Sequence, residues 1–283
     1  MPELKLQAGA LDGLTVHYLK EGRGPAVVLV HGLGGFAASW RLTTEALAGR
    51  ATILAPDLPG FGRSAKPRTR YGLDFFAAAL GGFLEGLGVR RVTLVGHSLG
   101  AAVALAYALA YPGRVDRIAL LSGLVPGFAY ELPPVYRILA VVGVGEALAL
   151  CGCPAIYRAA LARCFHRPRR EDVEFLVRCD YAARTGWDAR AAYLGTVRAI
   201  RADFEERGEL FRRALRTLDV PILLIHGRED RVVPAGHCRE VAAGLVRAET
   251  RWIDACGHFP QIEHAETVNA WLADFLAARP APR

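Results

Sequence analysis

The stretch Val92-Thr93-Leu94-Val95-Gly96-His97-Ser98-Leu99-Gly100 decides the fold, because it joins an apolar β-branched run directly to an alanine-rich one. The run 92–95 is typical of a strand buried on both faces, and the run 101–110 is typical of a helix. Ser98 stands at the turn between them, with a glycine two positions away on either side. In such a turn the serine hydroxyl projects above the sheet beside the first N–H groups of the helix, where it can attack a carbonyl.

Strand-like and helix-like segments alternate along most of the chain. The predicted strands are 4–7, 15–19, 25–32, 51–55, 91–95, 118–121, 221–225 and 249–253. The predicted helices are 40–48, 73–87, 99–110, 236–246 and 261–276. Strands that alternate with helices form a parallel sheet covered on both sides. We therefore predict an α/β fold with a mostly parallel, twisted, eight-stranded sheet flanked by helices.

The alternation stops between residues 126 and 217, where helical spacing continues without a convincing buried strand. An insertion at the carboxyl ends of the strands lies over the edge where open α/β sheets bind ligands. We predict a core formed by 1–125 and 218–283 and a helical cap formed by 126–217. The prolines at 133–134 and the segment 217–221 are the predicted hinges.

A glycine-rich loop, His31-Gly32-Leu33-Gly34-Gly35, follows the third predicted strand. Glycine allows the backbone to approach a ligand closely, so Gly32 and Gly34 are candidate substrate-binding residues. The backbone N–H groups of Leu33 and Leu99 could together hold the oxyanion of a tetrahedral intermediate, and losing one such donor typically costs about 10²–10³ in rate.

A serine nucleophile needs a base and an orienting carboxylate. His258 is the preferred base because it follows a glycine in the loop after the last predicted strand. Asp230 is the preferred carboxylate because it lies just after the seventh strand, and its neighbour Glu229 is the weaker candidate. We interpret Asp57 and His31 as residues that order their own loops. The catalytic candidates are thus Ser98, Asp230 and His258, in the chain order given for α/β-hydrolases.

Five ordered motifs resemble those of capped α/β-hydrolases over nearly the whole chain. They are HGLGG at 31–35, DLPGFGRS at 57–64, GHSLG at 96–100, HGREDRVVP at 226–234 and GHFPQIEHAE at 257–266. The resemblance implies hydrolysis through an acyl-serine intermediate, without a metal or an organic cofactor. Haloalkane dehalogenases and epoxide hydrolases are excluded, because they use aspartate where this chain has Ser98.

Several activities remain open for the same three residues. A carboxylesterase is the preferred prediction. Hydrolases that cleave carbon–carbon bonds in ring-fission products share the DxPGFGxS pattern, although they commonly have Asn where this chain has His97. An enol-lactonase, a thioesterase or a perhydrolase would use the same residues. A ligand receptor of this fold that does not turn its ligand over is the alternative of another class.

The predicted cap is rich in apolar and aromatic residues, which suggests an apolar pocket for the acyl group. Its apolar residues include Leu132, Val135, Ile138, Leu139, Val142, Leu148 and Leu150. Its tyrosines include Tyr130, Tyr136, Tyr157 and Tyr193. Tyr130, Tyr136 and His97 are candidate substrate contacts. We predict a preference for esters of medium chain length, from butyrate to octanoate.

Composition limits the remaining function classes. The net charge is +7, and an arginine cluster at 158–170 is interpreted as a solvated helix face beside Glu171, Asp172 and Glu174. No nucleic-acid motif accompanies it. Six cysteines without a secretion signal do not indicate disulfides. We expect a cytoplasmic monomer or homodimer with a small-molecule ester substrate and no nucleic-acid or membrane partner. One Asn and one Met among many arginines hint at a thermophilic or GC-rich source.

Overall fold

Eight strands form one sheet in the computed structural model, which describes residues 1–7, 9–131 and 133–278. The strands are β1 (Glu3–Lys5), β2 (Thr15–Glu21), β3 (Ala26–Val30), β4 (Thr52–Pro56), β5 (Val92–His97), β6 (Val115–Leu121), β7 (Ile222–Gly227) and β8 (Ala248–Ile253). Their order is β1-β2-β4-β3-β5-β6-β7-β8. β1 pairs antiparallel with β2 and β2 with β4, and the other neighbours are parallel. The predicted fold class is confirmed.

The central strands are buried on both faces, as their continuous apolar runs require. In β3, Val28 and Val30 pack into the cluster on one face of the sheet, and Val27 and Leu29 pack into the cluster on the other. The same alternation places Leu94 of β5 in the first cluster. The buried strands therefore hold in place the turns at their ends, which are described below.

Helices cover both faces of the sheet. They are α1 (Arg41–Leu47), α2 (Leu73–Gly86), α3 (Leu99–Ala110), α4 (Pro134–Leu139), α5 (Val144–Leu150), α6 (Pro154–Cys164), α7 (Arg170–Arg184), α8 (Trp187–Leu215), α9 (Ala235–Gly244), α10 (Pro260–Glu263) and α11 (Ala265–Ala277). The prediction of one helix over 261–276 is wrong, because the backbone of His264 leaves the helical region (φ −132°, ψ 45°) and separates α10 from α11.

The five helices α4 to α8 lie between β6 and β7 in the chain, where the sequence predicts the cap. The limits of the cap at 126 and 217 and its hinges stay predictions, and Leu132 lies outside the described residues. His237 of α9 fastens the chain that leads into this region: its Nε2 accepts from the Val125 N–H at 3.1 Å, and its Nδ1 donates to the Ala129 carbonyl at 2.9 Å. Arg70 and Asp203 form an ion pair at 2.7 Å between the core and α8.

Membrane-spanning helices were sought among the same residues. No single helix is long and apolar enough to cross a bilayer, although the pair α5 and α6, bent by 109°, passes together on length and composition.

Candidate active site

The turn between β5 and α3 holds Ser98 in a backbone conformation that serine rarely adopts, with φ 53° and ψ −120°. Such conformations cost about 1–3 kcal/mol and persist only where the surroundings impose them. Here the Ser98 N–H donates to the Leu121 carbonyl at 3.0 Å, and the Ser98 carbonyl accepts from Leu124 at 3.1 Å. A Cβ at Gly100 would overlap the Val30 carbonyl oxygen. The flanking glycine therefore makes the tight turn possible.

His258 and Asp230 are in direct contact, as the sequence predicts for a base and its carboxylate. His258 Nδ1 donates to Asp230 Oδ2 at 2.9 Å. The other carboxylate oxygen accepts the N–H groups of Val232 and Val233 at 2.8 and 2.9 Å. Burial opposes ionisation of Asp230, but the interaction with His258 and these hydrogen bonds outweigh it and hold the Asp230 pKa at about 2. The carboxylate thus stays charged, and because His258 Nδ1 donates to it, Nε2 is the ring nitrogen that can accept a proton.

Groups that the sequence analysis missed hold the loop of His258 in place. The His258 N–H donates to the carbonyl of Cys164, at the end of α6, at 2.7 Å. Glu263 accepts the N–H of Gly257 at 2.9 Å and that of His166 at 2.8 Å. A backbone carbonyl such as that of Cys164 leaves no signal in the sequence. Glu263, five residues after His258, was visible within the GHFPQIEHAE motif.

His97 lies against His258, with ring centres 4.8 Å apart. It lines the cavity described below, but its Nε2 donates to the His258 carbonyl at 2.7 Å. Its ring stacks on Phe259, with ring centres 5.1 Å apart. Burial, with a smaller contribution from His258, lowers the pKa of His97 to about 3, so the ring is neutral at pH 7. Its role as a substrate contact stays a prediction.

The loop at 31–35 follows β3, and we call it the oxyanion loop after the role that the sequence predicts for it. Leu99 is the first residue of α3, so its N–H has no partner within the helix. Leu33 lines the same cavity as Leu99. His31 orders the loop, because its Nδ1 donates to the Gly32 carbonyl at 2.8 Å and its Nε2 accepts from Leu58 at 2.9 Å. The assignment of the Leu33 and Leu99 N–H groups to an oxyanion stays a prediction.

Asp57 orders the neighbouring loop. Its carboxylate accepts the N–H of Ala37 at 2.6 Å and that of Arg63 at 2.9 Å, and its backbone carbonyl accepts the Ser64 hydroxyl at 2.6 Å. These contacts fix the walls beside the oxyanion loop and leave the Asp57 side chain without a free oxygen for chemistry.

A cavity of about 590 Å³ lies between the ends of the strands and the helices α4 to α8. Ser98 and His258 both line it, and so do all five candidate substrate-binding residues, Gly32, Gly34, His97, Tyr130 and Tyr136. Most of the wall is apolar, with Leu124, Leu139, Leu148, Ile156 and Val197 among the contributors. The Tyr130 hydroxyl donates to the Val232 carbonyl at 3.1 Å, beside the Asp230 turn. The sequence-predicted residues are thus brought to one apolar chamber.

One buried polar cluster interrupts the apolar wall, and the sequence analysis did not find it. Arg184 Nε lies 3.1 Å from Asp180 Oδ2, and the Tyr157 hydroxyl donates to the same oxygen at 2.8 Å. The guanidinium packs over the Tyr193 ring and directly above Gly34 of the oxyanion loop. Burial raises the pKa of Asp180 to about 6, against the opposing charge of Arg184. The cluster therefore places one guanidinium and one carboxylate in the wall of the chamber.

Metal ligation was also sought. Within residues 1–7, 9–131 and 133–278, no group of three or more His, Cys, Asp and Glu side chains has an arrangement that could hold a metal ion.

The chain is similar to known proteins in sequence and in fold. The chain matches the alpha/beta hydrolase family over residues 27–271. It belongs to that family. This α/β-hydrolase is 31% identical to the 2-hydroxymuconate semialdehyde hydrolase of a Pseudomonas species, and the match covers 94% of this chain and 91% of that one.

Solved structures of the family are also similar. The 2-hydroxy-6-oxo-6-phenylhexa-2,4-dienoate hydrolase of a Rhodococcus species has a TM-score of 0.81 and 27% identity, covering 98% of this chain and 99% of its own. A thermophilic esterase from Thermogutta terrifontis has a TM-score of 0.81 at 23% identity, covering 98% of both chains, and this likeness is one of fold alone. Membership of this family makes the protein a hydrolase. The names of its relatives indicate that they cleave different bonds.

Proposed function

We propose that this α/β-hydrolase cleaves carboxylic esters with small to medium apolar acyl chains. One observation carries the proposal: Ser98, held in a strained turn, and His258, which is paired with Asp230, both line one apolar cavity. Strained backbone at a nucleophile is a recurring feature of active sites. An apolar chamber with few polar groups suits an acyl chain.

The reaction would proceed in two halves. Ser98 Oγ attacks the ester carbonyl carbon while His258 Nε2 accepts its proton, and the carbonyl electrons move to the oxygen, which the N–H groups of Leu33 and Leu99 stabilise. Asp230 stabilises the imidazolium. Collapse of the intermediate breaks the bond to the alkoxy oxygen, which takes the proton from His258. Water then attacks the acyl-serine by the same route and releases the acid.

Replacement of Ser98 by alanine tests the assignment. Ser98→Ala should lower kcat for p-nitrophenyl butyrate by about 10⁶, as in other serine hydrolases. Because alanine keeps the Cβ that the turn already accommodates and loses only the hydroxyl, the variant should fold with similar stability, which thermal unfolding checks. Near-native activity in the purified variant would contradict the proposal. Among p-nitrophenyl esters, activity should peak between butyrate and octanoate, and a maximum at palmitate would contradict the proposed acyl size.

A second candidate is hydrolysis of a carbon–carbon bond. It is favoured by the relatives named for dienoate and semialdehyde substrates and by two cavity arginines, Arg184 and Arg190, which could attract a carboxylate. Asp180 argues against it, because its carboxylate offsets the charge of Arg184 at 3.1 Å. Assays of p-nitrophenyl butyrate and a ring-fission dienoate, side by side, separate the two activities.

A receptor of the same fold would not turn its ligand over. A burst assay with p-nitrophenyl butyrate discriminates, because product beyond one equivalent of protein requires turnover. Labelling of Ser98 by a serine-reactive phosphonate would report an activated hydroxyl in both cases, so the burst assay decides between the enzyme and the receptor.

A further inference from the structure

Exposed apolar side chains are concentrated on one short part of the molecule. Twelve large apolar side chains among the described residues are exposed, and eight of them fall within residues 135–156, on α4, α5, the turn between them and the start of α6. We call these eight the apolar cap surface: Val135, Ile138, Val141, Val142, Val144, Leu148, Leu150 and Ile156. Contiguous apolar surface of this kind is rare on monomeric proteins and marks a binding face.

The charge around this surface is positive. Residues 133–170 contain six arginines and one acidic residue, Glu146, whose carboxylate lies 2.8 Å from Arg198. Arg158 and Arg169 are paired with Glu174 and Asp172. By contrast, within the described part of the chain, the exposed Arg163, Arg167 and Arg170 have no carboxylate at ion-pair distance. Arg163 lies two turns after Ile156 on the same face of α6.

The apolar cap surface is continuous with the inside of the cavity. Val135, Leu148 and Ile156 are about half exposed and also line the chamber that contains Ser98. Trp187, which is 71% exposed, begins α8 between the cavity-lining residues Thr185 and Arg190. Exposed Trp beside apolar and basic residues is the composition of segments that lie in a membrane interface.

We propose that the apolar cap surface docks on an anionic lipid bilayer, so that apolar esters dissolved in the lipid enter the cavity without crossing water. The arginines decide between a bilayer and a second copy of the chain. A symmetry-related copy would bring Arg163 and Arg167 against like charges, whereas anionic headgroups neutralise them, at a gain of about fivefold in affinity for each arginine. Docking of the apolar cap surface on the bilayer is independent of catalysis. Only the entry of an ester into the cavity rests on the proposed hydrolase function. This proposal replaces the sequence-based expectation of no membrane partner.

Vesicle binding tests the docking alone. Ser98→Ala protein is sedimented with vesicles of phosphatidylglycerol and phosphatidylcholine in equal parts, and with vesicles of phosphatidylcholine only. We expect binding to the anionic vesicles, weakening with salt, and a blue shift of tryptophan emission that Trp187→Phe abolishes. Val142→Glu, at a side chain that is 77% exposed, should lower the partition coefficient by roughly tenfold. Arg163→Gln with Arg167→Gln should lower it by about 25-fold.

Val246→Glu is the matched control, because Val246 is 66% exposed and precedes β8, away from the cap helices. Its vesicle binding should equal that of the parent. Val142→Glu in the active protein should keep full hydrolysis of p-nitrophenyl butyrate in solution, because Val142 does not line the cavity. Equal binding of Val142→Glu and Val246→Glu would overturn the proposal. So would a dimer in sedimentation velocity that Val142→Glu converts to monomer, since a second copy would then cover the surface.

Discussion

His97 and His258 are joined by a hydrogen bond in which His97 Nε2 donates to the backbone carbonyl of His258 at 2.7 Å. The bond connects the turn that carries Ser98 to the loop that carries the proposed base, and it is buried. The Cys164 carbonyl accepts the N–H of the same peptide segment at 2.7 Å. His258 is thus fixed from the sheet and from α6 at once, which makes His97 a positioning residue.

Loss of this donor should impair turnover more than binding. His97→Phe keeps a ring against Phe259 but removes the hydrogen bond, and a misplaced base can cost up to about 10² in rate. We expect a fall in kcat with KM changed less than twofold, and partial rescue in His97→Gln, which retains a donor. Steady-state kinetics with p-nitrophenyl butyrate check this. A purely structural role would instead lower stability while leaving kcat per folded molecule unchanged.

Asp230 is expected to matter through the tautomer and charge of His258. Asp230→Asn keeps the shape of the side chain but removes the charge, and the corresponding change in serine proteases lowers kcat by about 10⁴. Glu229→Gln is the control, because Glu229 accepts the Cys256 N–H at 3.0 Å and does not touch His258. Equal effects of the two substitutions on kcat would show that the carboxylate has been assigned wrongly.

The sequence predicted the sheet correctly where a local pattern reports a local constraint, and the roles of the site residues stay predictions. Continuous apolar runs mark strands buried on both faces, and the glycines beside Ser98 mark a turn in which a Cβ would overlap the Val30 carbonyl. The Asp230–His258 contact followed from the two residues standing at the ends of neighbouring parallel strands. For the strands and the glycines the residue type alone carries the structural requirement, and for Asp230 and His258 the position at the end of a strand carries it.

The sequence could not reveal contacts that depend on how the cap packs on the core. Asp180 and Arg184 stand four residues apart on α7, a spacing that the sequence does show, but the approach of Arg184 to Gly34 depends on how α7 packs against the oxyanion loop. The break at His264 was missed for a similar reason: apolar spacing continues through it. The exposure of Val142 was likewise invisible, because an apolar residue in an apolar stretch is ordinarily interpreted as core.

Stability should fall steeply below pH 6.5 because four buried histidines are neutral in the folded protein. Burial is the largest cause that lowers the pKa of His31, His97, His226 and His237. The unfolded chain binds these protons near pH 6.5, so stability that is present above that pH is lost as the pH falls toward the folded values. The pKa of Asp180 is raised to about 6, so this single group has the opposite effect on the free energy of unfolding and stabilises the folded protein as the pH falls.

Urea unfolding at pH 7 and pH 5 measures this loss. With a folded pKa of about 3, His97 alone should contribute about 2 kcal/mol to the difference between the two pH values. Between pH 7 and pH 5 the free energy of unfolding of His97→Gln should therefore fall by about 2 kcal/mol less than that of the wild type, whatever its absolute stability. The same drop in both proteins would mean that His97 is protonated in the folded state.

Gly100 should tolerate no side chain. Gly100→Ala drives a Cβ into the Val30 carbonyl, which belongs to the backbone of a buried strand, and overpacking of this kind costs about 3 kcal/mol. Gly236→Ala is the matched control in α9, where a Cβ meets open space, and helix propensity should make it more stable by about 0.5–1 kcal/mol. Thermal and urea unfolding compare the two variants, and a Gly100→Ala protein as stable as the control would contradict the turn geometry.

Asp180 should set the preference of the site for neutral over anionic esters. Asp180→Asn removes the charge that offsets Arg184 at 3.1 Å, so the ratio of kcat/KM for p-nitrophenyl hemisuccinate to that for p-nitrophenyl butyrate should rise by about tenfold. Asp172→Asn is the matched control, because Asp172 is as buried on the same helix but pairs with Arg41 and Arg169 outside the cavity.

The pH dependence of that ratio is a second, independent test of the effect of Asp180 on ester preference. Because the pKa of Asp180 is raised to about 6, its carboxylate is charged at pH 7 and becomes neutral as the pH falls toward 5. The wild-type ratio should therefore rise over this range, whereas the ratio in Asp180→Asn stays flat. Protonation of the base lowers both rates equally and cancels in the ratio. A wild-type ratio that does not change with pH would show that Asp180 does not act on the substrate through Arg184.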